Sequence, residues 1–212
     1  MPGFITDKCD EIRRWLAVGD EIYPNTVVTS WIRMAEEQLS NVLRIKHQIQ
    51  IDTTELIEDR VPLPKDWQEV RLVRLLKTGG VGRYQTPDAF YNPEFPEDPT
   101  LPYTSRNKRY TILGNLVIFG DVDKDMGTDV ELTYYQDVTP LTEEANNWIN
   151  RYHPTLYTLK ILHVASMYSI EDERSMLWGK EVAQIVGDLN AAHKVDRASG
   201  SVLVQTRRKS FG

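Results

Sequence analysis

The sequence has few of the residues that most often carry out chemistry or cross-link a chain. Its 212 residues include one cysteine, Cys9, and four histidines. A single cysteine cannot form an intrachain disulfide, which favours folding in a reducing cytoplasm. Cys9 is followed by Asp10 and Glu11, and neighbouring negative charges disfavour a reactive thiolate.

Long apolar runs are also missing. No stretch approaches the roughly 20 apolar residues of a membrane-spanning helix. The first residues lack the basic and apolar segments of a signal peptide. We therefore expect neither a membrane segment nor a membrane partner.

The histidines show no catalytic or metal-ligand spacing. His47, His153, His163 and His193 are far apart in sequence, so none forms the closely spaced pair of a zinc site. The sequence also has no Gly-x-Ser-x-Gly motif and no phosphate-binding loop. We therefore predict no catalytic residue and no cofactor.

One acidic motif resembles the start of a calcium-binding loop. Asp121, Asp123 and Asp125 have the alternate spacing of an EF-hand. That loop needs glycine at its sixth position and glutamate at its twelfth, where this sequence has Met126 and Leu132. We predict no metal site here, and a metal-dependent enzyme using these aspartates is a less favoured alternative.

The overall composition is that of an ordinary globular protein. Hydrophobic residues make up 41% and charged residues 26% of the chain, and the net charge is −6. Duplex DNA is gripped by neutralising its phosphates. The acidic balance therefore argues against a protein whose whole body binds DNA.

Amphipathic helices are predicted at both ends of the chain. Residues 23–48 repeat apolar side chains every three or four positions, which is typical of a helix with one buried face. A later helix is predicted from an N-cap at Thr142, and Pro154 starts an apolar helix that reaches Tyr168. The expected buried faces are Val28, Trp31, Ile32, Ala35, Leu39, Val42 and Leu43 in the early helix, and Trp178, Val182, Ile185, Leu189 and Ala192 in the last.

In the middle of the chain apolar residues recur at every second position, which indicates strands. Ile49 and Ile51 alternate with polar residues, and Gly114-Asn115 separates two apolar runs as a hairpin turn does. In residues 128–140, Val130, Leu132 and Tyr134 alternate with polar residues as well, and we predict a third strand of the hairpin's sheet there.

Residues 79–107 form the least regular segment. A loop of this length inside a domain is usually functional or disordered. Its aromatic content predicts a surface loop that contacts a partner, although packing on its own domain stays an open alternative. The aromatic residues are Tyr84, Phe90, Tyr91, Phe95 and Tyr103.

The C-terminal segment is cationic, because no acidic residue follows Asp196. We predict an extended arm, with a hinge at Gly200, that adds as a strand to a partner's sheet edge. A disordered terminus is the alternative. The residues proposed to bind are Val202, Leu203, Val204, Arg207, Arg208 and Lys209.

These patterns predict a mainly α fold with a β insertion, an α+β fold. Residues 1–47 and 140–196 would form one helical bundle from both chain ends. Residues 48–139 would form a small antiparallel β region with the long loop 79–107, and residues 197–212 an extended C-terminal arm.

Several features recur in a fixed order between residues 110 and 205. A strand ends in Tyr134-Tyr135, Asn147-Trp148 follows, and a proline-started apolar helix leads to an acidic turn and a helix with Trp178. In this order the sequence resembles the head-to-tail adaptor proteins of tailed bacteriophages, which are also called connector or head completion proteins.

The resemblance implies a structural, non-enzymatic virion protein. Such proteins form a ring, usually dodecameric, below the portal in the neck of the virion, and they assemble in the host cytoplasm. The ring extends the DNA channel and provides the platform for tail attachment. The implied partners are the portal protein, tail proteins of the nozzle or stopper, neighbouring copies in the ring, and double-stranded DNA that passes without tight binding.

The resemblance also gives the predicted contact residues a role. The C-terminal arm would bind the portal, and the aromatic loop would contact the tail or a neighbouring copy. Another neck component, a stopper or tail terminator, is the alternative, but such proteins are typically smaller and β-dominated. A DNA-binding protein acting through Arg207–Lys209 is less favoured.

Overall fold

A computed structural model describes residues 3–77, 80–91, 109–120, 129–168 and 174–209, and after Lys194 it describes the backbone alone. The chain divides into two units. One combines Met1–Gln48 with Asp137–Gly212, and the other is Ile49–Gln136. The boundaries predicted from sequence lay after residues 47 and 139.

The order of elements is helical, then mostly β, then helical. In chain order they are α1 (Phe4–Leu16), α2 (Asn25–Val42), a 3₁₀ turn (Lys46–Gln48), β1 (Ile49–Glu55), β2 (Arg60–Pro62), β3 (Trp67–Leu75), β4 (Gly80–Val81), β5 (Arg83–Tyr84), α3 (Pro87–Tyr91), β6 (Arg109–Leu113), β7 (Leu116–Phe119), β8 (Asp129–Gln136), α4 (Trp148–Tyr152), α5 (Pro154–Ser166) and α6 (Arg174–Lys209). The predicted α+β class is confirmed.

The helical unit has its core between α1, α2, α5 and α6. The predicted face of α2 is buried except at Val42, which is half exposed because α2 ends there. Pro154 is at the start of α5, as predicted, and α5 is buried on most sides. A helix surrounded in this way needs apolar residues around its circumference, and α5 has them.

The predicted helix from Thr142 is shorter than expected. Helical structure begins only at Trp148, where the side chain of Asn147 caps α4 by accepting a hydrogen bond from the Asn150 backbone N–H at 2.8 Å. The Thr142 hydroxyl instead accepts from the Ala145 backbone N–H at 2.9 Å and closes a turn. Threonine stabilises turns as well as helix starts, so the residue type alone does not distinguish them.

The β unit contains two four-stranded sheets rather than one. The first has the strand order β1-β8-β3-β4 and the second the order β2-β7-β6-β5. The predicted hairpin is confirmed as β6–β7, with Gly114 at φ 58° in its turn. The prediction that the strand carrying Val130, Leu132 and Tyr134 extends this hairpin's sheet is wrong, because that strand, β8, pairs with β1 and β3.

The β unit buries one side of its strands. Val130 and Leu132 of β8 are fully buried and join Val73 of β3 and Val117 of β7 in one apolar cluster. The alternation of β8 therefore predicted its buried face correctly. What alternation does not encode is the partner strand, since any strand with a complementary face can pair.

The C-terminal segment differs from the predicted extended arm. Residues 197–209, including Gly200, are the last turns of α6. Propagating an existing helix costs far less than nucleating one, because each added residue gains one hydrogen bond. Three β-prone residues, Val202 to Val204, do not outweigh that advantage.

Candidate interaction surfaces

The residues predicted to bind the portal lie in the last turns of α6. Nearer the start of this helix, Trp178 and Val182 are buried in the helical core. Asn190 then joins α6 to the end of α2: its side-chain N–H donates to the Val42 carbonyl at 2.9 Å, and its side-chain oxygen accepts from the Arg44 backbone N–H at 2.8 Å. The predicted residues Val202, Leu203, Val204, Arg207, Arg208 and Lys209 follow this anchor by more than two helical turns.

The aromatic residues of segment 79–107 are only partly within the described chain. Tyr84 lies in β5, half exposed, with its ring 5.7 Å from that of Tyr110. Phe90 and Tyr91 lie in α3 with ring centroids 5.1 Å apart, and Tyr91 is 58% exposed. Phe95 and Tyr103 lie outside the described residues. The structure thus places two half-exposed tyrosines on the β unit.

Phe90 is held by a close approach to the hairpin strands. A Cβ atom added at Gly120 would lie 3.3 Å from the Phe90 ring. Any larger residue at Gly120 would therefore displace the ring. This packing fixes α3, and with it Tyr91, against the β unit.

A third apolar surface was missed by sequence reasoning. The end of α5 and the start of α6 expose four large side chains, between 56% and 82% of their area, and we call them the corner surface: Met167, Tyr168, Met176 and Leu177. Tyr168 is the last residue of the apolar helix predicted from Pro154, yet it is exposed. Its hydroxyl donates to the Met34 sulfur at 3.3 Å. Methionine-rich surfaces adapt to partners of different shape.

A sequence signal for the corner surface exists. Met176 and Leu177 lie off the face of α6 that Trp178 and Val182 define. Apolar residues outside a helix's buried face are candidates for contact with another molecule.

The helical unit also contains a buried carboxylate, Glu36, that is 4% exposed. One of its oxygens accepts from the Leu141 backbone N–H at 2.8 Å, the Asn147 side-chain N–H at 2.9 Å and the Tyr157 hydroxyl at 2.7 Å. The other oxygen accepts from Arg33 at 2.8 Å. Burial, and then the Glu36 carboxylate, raise the pKa of Tyr157 well above its ordinary value, so this phenol remains a donor.

These hydrogen bonds fix the chain that returns from the β unit to the bundle. Besides the bonds to Glu36, the Ser40 hydroxyl accepts from the Val138 backbone N–H at 2.6 Å, and Arg33 donates to the Leu141 carbonyl at 2.8 Å. Three residues of α2 thus hold the segment before α4. The sequence signal for this buried carboxylate is the position of Glu36 within the apolar face of α2, which the sequence analysis did not use.

The part of the chain that the structure describes offers little for catalysis. Within it, no group of three or more His, Cys, Asp or Glu side chains could hold a metal ion. The aspartates 121, 123 and 125 lie outside it. Burial is the largest cause that raises the pKa of the Cys9 thiol; of the two carboxylates that the sequence suggested, only Asp10 contributes, and less than burial does. No described helix is long and apolar enough to cross a membrane.

Comparison with known proteins gives one family. The family model described as SU10 adaptor protein matches residues 6–206. The match therefore includes both units and most of α6. No curated protein matches the chain.

Proposed function

The chain belongs to the SU10 adaptor protein family, a phage head-to-tail adaptor family, and we propose that it acts as the adaptor ring in the virion neck. The ring, usually dodecameric in such proteins, would bind below the portal, extend the DNA channel and carry the tail. The observation that supports this role most is the match over residues 6–206. A structural role in the virion follows from the family; the ring and its position are the proposal.

The C-terminal part of α6 is the proposed portal contact. As a helix it would bind in a groove of the portal rather than add a strand to a sheet. Its cationic end, Arg207 to Lys209, would face acidic portal surface. Single contacts of this kind are weak, but copies tethered in a ring would bind with avidity.

The net charge of −6 per copy suits a channel rather than a DNA clamp. An acidic ring repels phosphates as a whole, so DNA can pass without being held. We therefore propose that double-stranded DNA is a transient partner.

The exposed apolar surfaces are the proposed contacts with neighbouring copies and with tail proteins. These surfaces are Tyr84 and Tyr91 on the β unit and the corner surface on the helical unit. Apolar exposure of this kind is common at protein interfaces and otherwise rare when contiguous.

Native mass spectrometry of the chain mixed with its cognate portal protein tests the proposal. The intact chain should bind the portal in a stoichiometric ring. A truncation after Asp196 should lose this complex while keeping its melting temperature, because Trp178, Val182 and Asn190 are retained. A matched charge variant, Arg207, Arg208 and Lys209 to glutamine, should weaken the complex less than the truncation.

Two results would contradict the proposal. An intact chain that forms no complex with the portal would remove the adaptor role. A truncated chain that still forms a normal ring on the portal would leave that role intact but exclude the C-terminal contact. Binding of DNA by the intact chain that weakens steeply with salt would instead favour a DNA-binding function.

A further inference from the structure

The helical unit contains a cluster of four rings between the 3₁₀ turn and α4. The His47 ring stacks on Tyr152, with centroids 4.3 Å apart and planes at 8°. It also lies 6.5 Å from Trp148 and 5.5 Å from His153. We call His47, Trp148, Tyr152 and His153 the histidine–aromatic cluster.

The cluster holds polar atoms that lack partners. Nδ1 of His47, Nε1 of Trp148 and Nε2 of His153 are buried and accept or donate no hydrogen bond within the described residues. A neutral imidazole can leave one nitrogen unpaired as an acceptor. Protonation turns both nitrogens into donors, so a charged ring here would carry an unpaired N–H in a buried position, which is costly.

The groups around the two histidines also disfavour a positive charge. Burial, and then Lys46 in the same turn, lower the pKa of His47. Burial, and then His47 itself, lower the pKa of His153. On the α4 side the other charged or titratable side chains are those of Arg151 and Tyr152.

We propose that His47 and His153 form a pH-sensitive clamp, which holds the 3₁₀ turn on α4 while both are neutral and loosens when they take up protons. The 3₁₀ turn ends at Gln48, the residue after which the chain leaves the helical unit. The clamp thus lies where the chain leaves the helical unit, and protonation of its histidines would loosen the chain at that point. This inference does not depend on the adaptor role.

The direction of the pH effect follows from linkage. Both folded-state pKa values lie below the ordinary histidine value of about 6.5. As the pH falls below that value, the unfolded state binds protons before the folded state does. The contribution of the clamp to stability is therefore complete above the ordinary value and decreases as the pH falls through and below it.

Histidine-selective NMR of the full chain between pH 8 and pH 5 tests the clamp directly. With resonances assigned on the wild-type chain, His47 and His153 should both titrate below the ordinary value. His47→Phe, which keeps a ring on Tyr152, should shift the titration of His153 upward, because one of its two lowering causes is removed. The titration of His163 on α5 is the internal control and should be unchanged by His47→Phe, because burial and Lys160 are what lower its pKa.

The melting temperature gives a second readout. Between pH 7.5 and pH 5 the double variant His47→Phe/His153→Phe should lose less melting temperature than the wild-type chain. Titration of either histidine at or above the ordinary value overturns the proposal. So does a double variant that loses as much melting temperature as wild type. If the double variant fails to fold, the wild-type titration decides.

Discussion

The two units of this protein achieve their packing by different means. The β unit is one continuous segment, and its described buried side chains carry no charge. They include tyrosines such as Tyr134, whose hydroxyl donates to Asp66 at 3.2 Å, and Thr111. The helical unit joins two distant segments, and Glu36 binds Asn147 and Tyr157 across that separation. Apolar packing tolerates many arrangements, whereas a buried charge needs its particular partners. A unit assembled from separate segments therefore gains most from such a charge.

The largest expected effect comes from removing that charge. Glu36→Ala leaves four donors, the Leu141 N–H and the side chains of Asn147, Tyr157 and Arg33, without the Glu36 carboxylate. We expect the free energy of unfolding to fall by about 4 kcal/mol. Urea denaturation measures the loss, and hydrogen exchange locates it. Protection should fall in α2 and α5, while β8 stays protected.

The neighbouring residue supplies the control. Glu37 is exposed on the same helix, and Glu37→Ala should change the free energy of unfolding by less than about 0.5 kcal/mol. A Glu36→Ala chain as stable as the Glu37→Ala chain would show that apolar packing alone holds the helical unit.

A second change should affect the β unit instead. Leu132 of β8 is fully buried, and Leu132→Ala should cost about 3 kcal/mol through lost burial and the cavity left behind. Hydrogen exchange should then accelerate in β1 and β3, the strands that pair with β8. Ile51→Ala on β1, where the side chain is 65% exposed, should have little effect. If protection in α2 and α5 fell as much as it does in β1 and β3, the two units would not unfold separately.

The smallest expected effect compares two glycines of α6. A Cβ atom at Gly187 meets nothing within 4 Å, whereas one at Gly179 would lie 2.9 Å from Nε2 of His163. Gly187→Ala should raise the free energy of unfolding by about 0.5–1 kcal/mol through helix propensity.

Gly179→Ala has the same propensity gain but forces the His163 ring to move, so it should be less stable than Gly187→Ala by about 1 kcal/mol or more. Thermal denaturation of the two variants measures the difference. Equal stabilisation by both would show that α5 and α6 are not in close contact at Gly179.

The sequence predicted the parts of the fold that local periodicity controls. The buried face of α2, the all-round burial of α5 and the hairpin at Gly114 all follow from spacing and residue type. The predicted burial of Val42 is wrong, because an amphipathic pattern does not show where its helix ends.

Predictions that depended on distant partners were less successful. Thr142 carries a helix-start pattern, but the adjacent Leu141 is held by Glu36, which lies far away in sequence. β8 shows its buried face in its alternation, yet its pairing with β1 and β3 depends on where those strands lie. The C-terminal residues proposed as a contact were chosen from charge and residue type, which do not show that their backbone is helical; that depends on the helix that precedes them.

The helical unit is built from two segments that are far apart in the sequence, and this has a consequence for its synthesis. α2 leaves the ribosome before α5, one of the helices that cover its apolar face, because α5 follows only after all of residues 49–136. At typical elongation rates that wait lasts on the order of ten seconds. The β unit can complete its pairing within this time, since its strands are all available. Translation order thus lets the inserted unit mature first, while α2 waits for α5 until the residues beyond 153 have been synthesised.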